Sequence, residues 1–181
     1  MLEPEGRPFG KITNPKSNPN HLLKSITKMA NTYSQINIHC VFAVKGREGI
    51  ITKDFRDELH KYMSGILKND SAFPLAVGGW KDHVHVFFEL PPDCKISDLM
   101  RMLKATSSKW INENRFVKGK FQWQEGYGAF SYSRSQRNNV INYIINQEKH
   151  HSKKTFKEEY LDLLKKFEIE FKDEYLFEFY D

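Results

Sequence analysis

Asp82-His-Val-His-Val-Phe-Phe-Glu89 is the stretch from which the rest of the chain can be read. In an extended strand successive side chains alternate between faces, so His83 and His85 point the same way, roughly 7 Å apart, while Val84, Val86 and Phe88 point into a core. Neutral imidazole is a good metal ligand, and two at this spacing converge on one ion when a third group arrives from another element. The same pattern also suits the solvent face of an amphipathic strand. The pair by itself does not choose between the two.

Working outward, Phe73 to Trp80 reads as a strand interrupted by Gly78-Gly79 and joined to the histidine strand by a tight connection, an antiparallel hairpin. Pro91-Pro92 stops the ladder. Ser34 to Lys45 alternates and then turns solidly apolar, as a central strand does, and Gly46-Arg-Glu-Gly49 closes it. Phe55, Leu59, Met63 and Leu67 recur at helical spacing from Lys53 to Lys68. Ser97 and Asp98 cap a second helix reaching about Asn114, with Leu99, Met102, Leu103, Thr106 and Trp110 as its apolar side. Phe121 to Gln124 reads as a short strand, and Gly126 to Ser133 as a glycine-hinged turn and another strand. A third helix runs from near Ser135 to His150-His151 with Val140, Ile141, Ile144 and Ile145 inward, and Phe156 to about Phe171 is a charged amphipathic helix. The order strand, helix, strand, strand, helix, strand predicts an α+β, ferredoxin-like (RRM-like) antiparallel sheet with helices packed on one face.

The 181 residues suit one domain with appendages. Residues 1–31 hold four of the seven prolines among Asn, Lys and Ser and read as a disordered or loosely attached arm; 32–152 read as the catalytic domain and 153–181 as a charged helical extension. The formal charge of +5 is uneven: Thr155 to Asp181 carries nine acids and four bases, whereas the preceding residues total +10. A basic body is the electrostatic footprint of a nucleic-acid binder. Cys40 and Cys94 form neither a disulfide framework nor a zinc motif, so a reducing cytoplasm fits best. No apolar run approaches the roughly 18 residues that span a bilayer, and no membrane partner is expected.

Tyr143 and Gln147 are one helical turn apart, and His150 continues the same polar stripe. Each alone is more simply an amphipathic rim residue. Beside a histidine pair, however, Gln147 completes a His-His-Gln metal site and places a phenol next to it. That arrangement suits phosphodiester cleavage: a metal polarises the scissile phosphate while a phenolate attacks to form a covalent phosphotyrosine. The bond is exchanged and not hydrolysed, so no nucleoside triphosphate is needed, and the chain has no phosphate-cradling Gly-rich loop.

Five stretches, in order, resemble the single-strand DNA tyrosine transposases of the HUH type, the small insertion-sequence transposases and their relatives associated with repeated extragenic palindromes. They are Ile38 to Lys45, Asp82 to Val86, Leu99 to Ala105 with Ser107 to Trp110, Gly126 to Ser131, and Val140 to Gln147 with His150-His151. The resemblance implies a ferredoxin-like core, a homodimer, and Mg²⁺ or Mn²⁺ held by His83, His85 and Gln147. It further implies that Tyr143 is the nucleophile on hairpin-bearing single-stranded DNA, forming a 5′-phosphotyrosine and freeing a 3′-hydroxyl. In some relatives the tyrosine helix serves the other subunit's site. Ligand chemistry alone favours Zn²⁺ or another transition metal for imidazoles. The N-terminal arm and the acidic extension beyond about Lys165 match nothing in this resemblance.

His39 can support the histidine pair, although a satisfied core histidine is the simpler reading. His150 and His151 suit either a helix C-terminus or a contact to DNA or metal. Arg101, Lys104, Lys109, Lys118 and Lys120 are candidate phosphate contacts. The rival to a transposase is a non-catalytic ferredoxin-like module that only binds nucleic-acid hairpins. A metal-dependent hydrolase would leave Tyr143 idle.

Overall fold

A computed structural model of the chain describes residues 33–46 and 49–179; the N-terminal arm and Arg47-Glu48 fall outside them. Four strands, β1 (Asn37–Ala43), β2 (Phe73–Gly79), β3 (His83–Glu89) and β4 (Gly128–Tyr132), form one antiparallel sheet in the order β2-β3-β1-β4. Helix α1 (Lys53–Asn69) links β1 to β2, and α2 (Ile96–Glu113) links β3 to β4. This is the split βαβ arrangement expected from the sequence.

Register divides the sheet into two faces. Cys40 pairs with Val86 and Phe42 with Val84, so these residues share one face with Phe88. Against it lie α1, burying Phe55, Leu59, Met63 and Leu67, and α2, burying Leu99, Met100, Leu103, Ser107 and Ile111. The expected Met102, Thr106 and Trp110 are only half-buried, and the buried stripe of α2 takes in Met100, Ser107 and Ile111 instead; the Ser107 hydroxyl donates to the Leu103 carbonyl and accepts from Trp123 Nε1. A satisfied hydroxyl is buried at little cost, which an apolarity pattern does not register.

The opposite face carries His39, Val41, His83, His85, Phe87, Gly128, Phe130 and Tyr132. It is covered by α3 (Arg137–Ile145), α4 (Gln147–His151) and α5 (Phe156–Lys166). Gly78, opposite His85 on β2, lies directly under Ile144 of α3. The expected single third helix is in fact two, parted at Asn146, whose side-chain amide donates to the Asn142 carbonyl at 2.7 Å. An Asx side chain that bonds a neighbouring carbonyl offers the backbone an alternative to helix continuation.

Two further expectations shift. Phe121 to Gln124 forms no strand but a single bridge, Trp123 opposite Val44. The last helix stops at Lys166, and beyond it Phe177 and Phe179 pack on Phe156 and Tyr160. Buried Gln124 fastens that segment, donating to the Glu178 carbonyl and accepting from its N–H. Among the described residues no helix is long and apolar enough to cross a membrane.

Candidate active site

The histidine pair lies on β3 with both side chains fully buried. Each ring is fixed through Nδ1. His83 donates from Nδ1 to Asp82 Oδ1 at 2.7 Å, and His85 Nδ1 lies 2.9 Å from His39 Nε2. Burial, with His85 beside it, drives the His39 pKa well below the ordinary histidine value, so His39 is neutral. These contacts aim His83 Nε2 and His85 Nε2 at the helices above, as partners on the far nitrogen do in many metal-binding histidines.

Tyr143 descends from α3 and Gln147 from the first turn of α4. Both meet Glu159 of α5, a residue that sequence reasoning passed over. Glu159 is 2% exposed. Its Oε1 accepts hydrogen bonds from the Tyr143 hydroxyl and, at 2.9 Å, from Gln147 Nε2. It also lies 3.5 Å from His85 Nε2, while Oε2 lies 3.5 Å from His83 Nε2 and 3.1 Å from His151 Nε2. A signal for Glu159 did exist: it falls on the buried stripe of α5 with Phe156, Tyr160, Leu163 and Leu164, where an unpaired carboxylate would be costly.

The two adjacent histidines of α4 diverge. His150 turns toward the phenol, its ring centroid 5.3 Å from that of Tyr143. His151 turns inward, 3.1 Å from His83 Nε2 and 2.8 Å from Gln147 Oε1. The stripe Tyr143, Gln147, His150 assumed one unbroken helix, and the break at Asn146 changes which histidine faces the pair. His39 lies against His85 with its own Nδ1 left without a hydrogen-bond partner, and His150 Nε2, also without one, lies 3.5 Å from Glu159 Oε1.

Charges are strongly coupled here. Burial opposes ionisation of Glu159, but His85, His151 and His83 outweigh it and hold the carboxyl well below the usual carboxylate range. Burial, then the charge and hydrogen bond of Glu159, push the Tyr143 hydroxyl far above the ordinary phenol value. Burial also lowers His85, whereas for His151 the nearby Glu159 carboxylate prevails over burial and raises it. Burial, with the Glu159 anion beside it, holds the phenol protonated.

The site fits a cation. His83 Nε2, His85 Nε2 and a Glu159 oxygen form a buried group of mutually close ligand atoms. His85 Nε2 and Glu159 Oε2 have no hydrogen-bond partner. A cavity of about 300 Å³ lined by Tyr132, Tyr143, His150, Lys154, Glu159 and Lys166 opens beside it. A second, wider depression runs past Tyr143 between Lys149, Lys153 and Lys154. The basic residues anticipated as phosphate contacts lie elsewhere. Lys104 is on the α2 side of the sheet, 5.6 Å from the centre of the Phe42 ring, and donates to the carbonyls of Gln124 and Gly126. Arg101 pairs with Asp98 and Lys109 with Glu113 on the exposed surface of that helix, while Lys118 and Lys120 follow it.

The sequence profile of the family described as "Transposase IS200 like" matches residues 32–147. A crystal structure of a candidate transposase from Deinococcus radiodurans R1 is similar at 22% identity and a TM-score of 0.53, covering 65% of this chain and 95% of that one. A REP-associated tyrosine transposase bound to a REP hairpin aligns at 17% identity and a TM-score of 0.49, covering 67% of this chain and 72% of that one. No curated protein matches this chain significantly.

Proposed function

The chain belongs to the IS200-like transposases, and from that footing we propose that it cleaves and rejoins single-stranded, hairpin-bearing DNA through a 5′-phosphotyrosine on Tyr143. The observation that carries this reading is the meeting of the Tyr143 hydroxyl with Glu159 beside the buried Nε2 atoms of His83 and His85. In the reaction the phenol oxygen bonds to phosphorus, the bond from phosphorus to the 3′ oxygen breaks, and that oxygen leaves with a proton as a 3′-hydroxyl. Rejoining is the reverse attack by a 3′-hydroxyl, which restores the phenol.

His83, His85 and Gln147 are the residues proposed to hold a divalent ion, Mg²⁺ or Mn²⁺, as the family resemblance implies. Such an ion would polarise the scissile phosphate and offset the carboxylate charge that opposes ionisation of the phenol. The protein's own part is positional. Asp82 and His39 fix the two imidazoles, Gln147 orients Glu159, and Glu159 holds the phenol oxygen at the mouth of the cavity. Lys149, Lys153 and Lys154, the last ion-paired with Asp162, line the adjoining depression past Tyr143 and suit the approach of a phosphodiester backbone.

Tyr143→Phe tests the reading. It deletes one oxygen, so the variant is expected to fold and to bind a labelled single-stranded hairpin as wild type does, yet to form no covalent adduct and no nick with Mn²⁺. Cutting by the variant would point to water as nucleophile. An inert wild type would favour the hairpin-binding module.

A further inference from the structure

Four imidazoles, those of His83, His85, His150 and His151, bring Nε2 within 3.5 Å of Glu159, and three of them, His83, His85 and His151, also have the other ring nitrogen engaged. His151 donates from Nδ1 to the Lys154 carbonyl at 2.8 Å, as His83 does to Asp82, and His85 Nδ1 faces His39. His151 Nε2 then lies 3.1 Å from His83 Nε2, 2.8 Å from Gln147 Oε1 and 3.1 Å from Glu159 Oε2. With His83 protonated at Nδ1 and the Gln147 amide N–H turned to Glu159, all three neighbours offer lone pairs. A single N–H cannot satisfy three acceptors, and Glu159 Oε2 and His85 Nε2 are left without hydrogen bonds. A surplus of buried lone pairs around one point is the electrostatic signature of a cation site.

We infer that α4 and α5 complete a metal centre of three imidazoles and one carboxylate, His83, His85, His151 and Glu159, with Gln147 Oε1 beside them, built for a borderline transition-metal ion in preference to Mg²⁺. His151 and Glu159 lie 3.1 to 3.5 Å from their neighbours among the proposed ligand atoms, the length of an edge in a coordination shell with bonds of about 2.1 Å, and the His83, His85 and Glu159 atoms all lie within 4.8 Å of one another. Imidazole-rich sets suit Mn²⁺, Fe²⁺, Co²⁺ or Zn²⁺, whereas Mg²⁺ takes oxygen ligands and keeps its waters. Both added ligands lie beyond residue 147, where the family match ends. Phe156 secures the arrangement, its ring stacked on His83 at 4.1 Å between centroids.

The inference deepens the metal-dependent reading of the same site and rests on it, so it is tested without DNA. Metal-free full-length protein is titrated calorimetrically with Mn²⁺, Zn²⁺ and Mg²⁺, and Co²⁺ binding is followed by its visible absorption. Mn²⁺ and Zn²⁺ are expected to bind at least about tenfold more tightly than Mg²⁺, and His151→Ala and Glu159→Gln each to weaken Mn²⁺ by at least about tenfold. The Co²⁺ spectrum should lose intensity or shift in His151→Ala. Should His151→Ala fail to fold, His151→Asn serves as the second variant. Unchanged Mn²⁺ affinity and Co²⁺ spectrum in both variants, while His83→Ala abolishes binding, would overturn the inference and leave the two-histidine reading standing. Equal affinity for Mg²⁺ and Mn²⁺ would overturn the selectivity.

Discussion

At position 78 the packing leaves no room for a side chain: a Cβ there would lie 2.4 Å from the Ile144 carbonyl oxygen and 2.8 Å from Ile144 Cγ2. Ile144 is the residue after Tyr143, so the missing side chain lets α3 press close enough to the sheet to carry the phenol to Glu159. Gly78→Ala is expected to cost about 1–3 kcal/mol, the usual range for overpacking, and to lower the melting temperature by several degrees. Gly65 in α1 is the control, since a Cβ there meets nothing within 4 Å. In a helix interior Gly65→Ala should stabilise by up to about 1 kcal/mol. Thermal unfolding of both variants reads the two signs, and a Gly78→Ala protein as stable as wild type would remove this account of the α3 seat.

Among the elements, α5 does most to complete the site, and its start is well defined. Thr155 accepts from the Glu158 N–H, and the Glu158 carboxylate accepts from the Thr155 N–H at 2.8 Å, a reciprocal cap. The next residue, Phe156, packs on His83, and Glu159 follows one turn later. Thr155→Ala should cost about 1 kcal/mol, and the loss should be local, because α1 and α2 lie on the other side of the sheet. Amide hydrogen exchange is expected to speed up across the first turn of α5 while the interior of α1 keeps its protection. Equal acceleration in both helices would mean that α5 does not open separately.

For the whole molecule, the position of Tyr143 beside Glu159 and His85 of its own chain has a direct consequence. If Tyr143 serves the histidine pair of its own chain, a partner subunit cannot rescue the site. Mixing Tyr143→Phe with a His83→Ala, His85→Ala double variant is expected to give no cleavage even where mixed dimers form. Recovered cleavage would show that the tyrosine helix exchanges between subunits. The homodimer implied by the resemblance is checked on the same samples, where light scattering should give about twice the 21.4 kDa chain mass.

The sequence by itself determined the sheet, the two helices on its Phe42 face and the candidate residues His83, His85, Tyr143 and Gln147. These are local facts: a period of two places His83 and His85 on one face, and a period of 3.6 aligns Phe55 with Leu59 and Met63. His39 was readable as a supporting residue only because its strand was, and pairing with β3 set it beside His85. The tertiary structure alone decided what closes the site. A short break at Asn146 swings His151 in place of His150 toward the histidine pair, and no periodicity within a helix foresees where its axis is interrupted. Glu159 lies 76 residues from His83 in a segment beyond the family match. Its meaning arises only when α5 folds over the sheet, where four imidazoles and an amide around a buried carboxylate turn an apolar-stripe oddity into the centre of the charge arrangement.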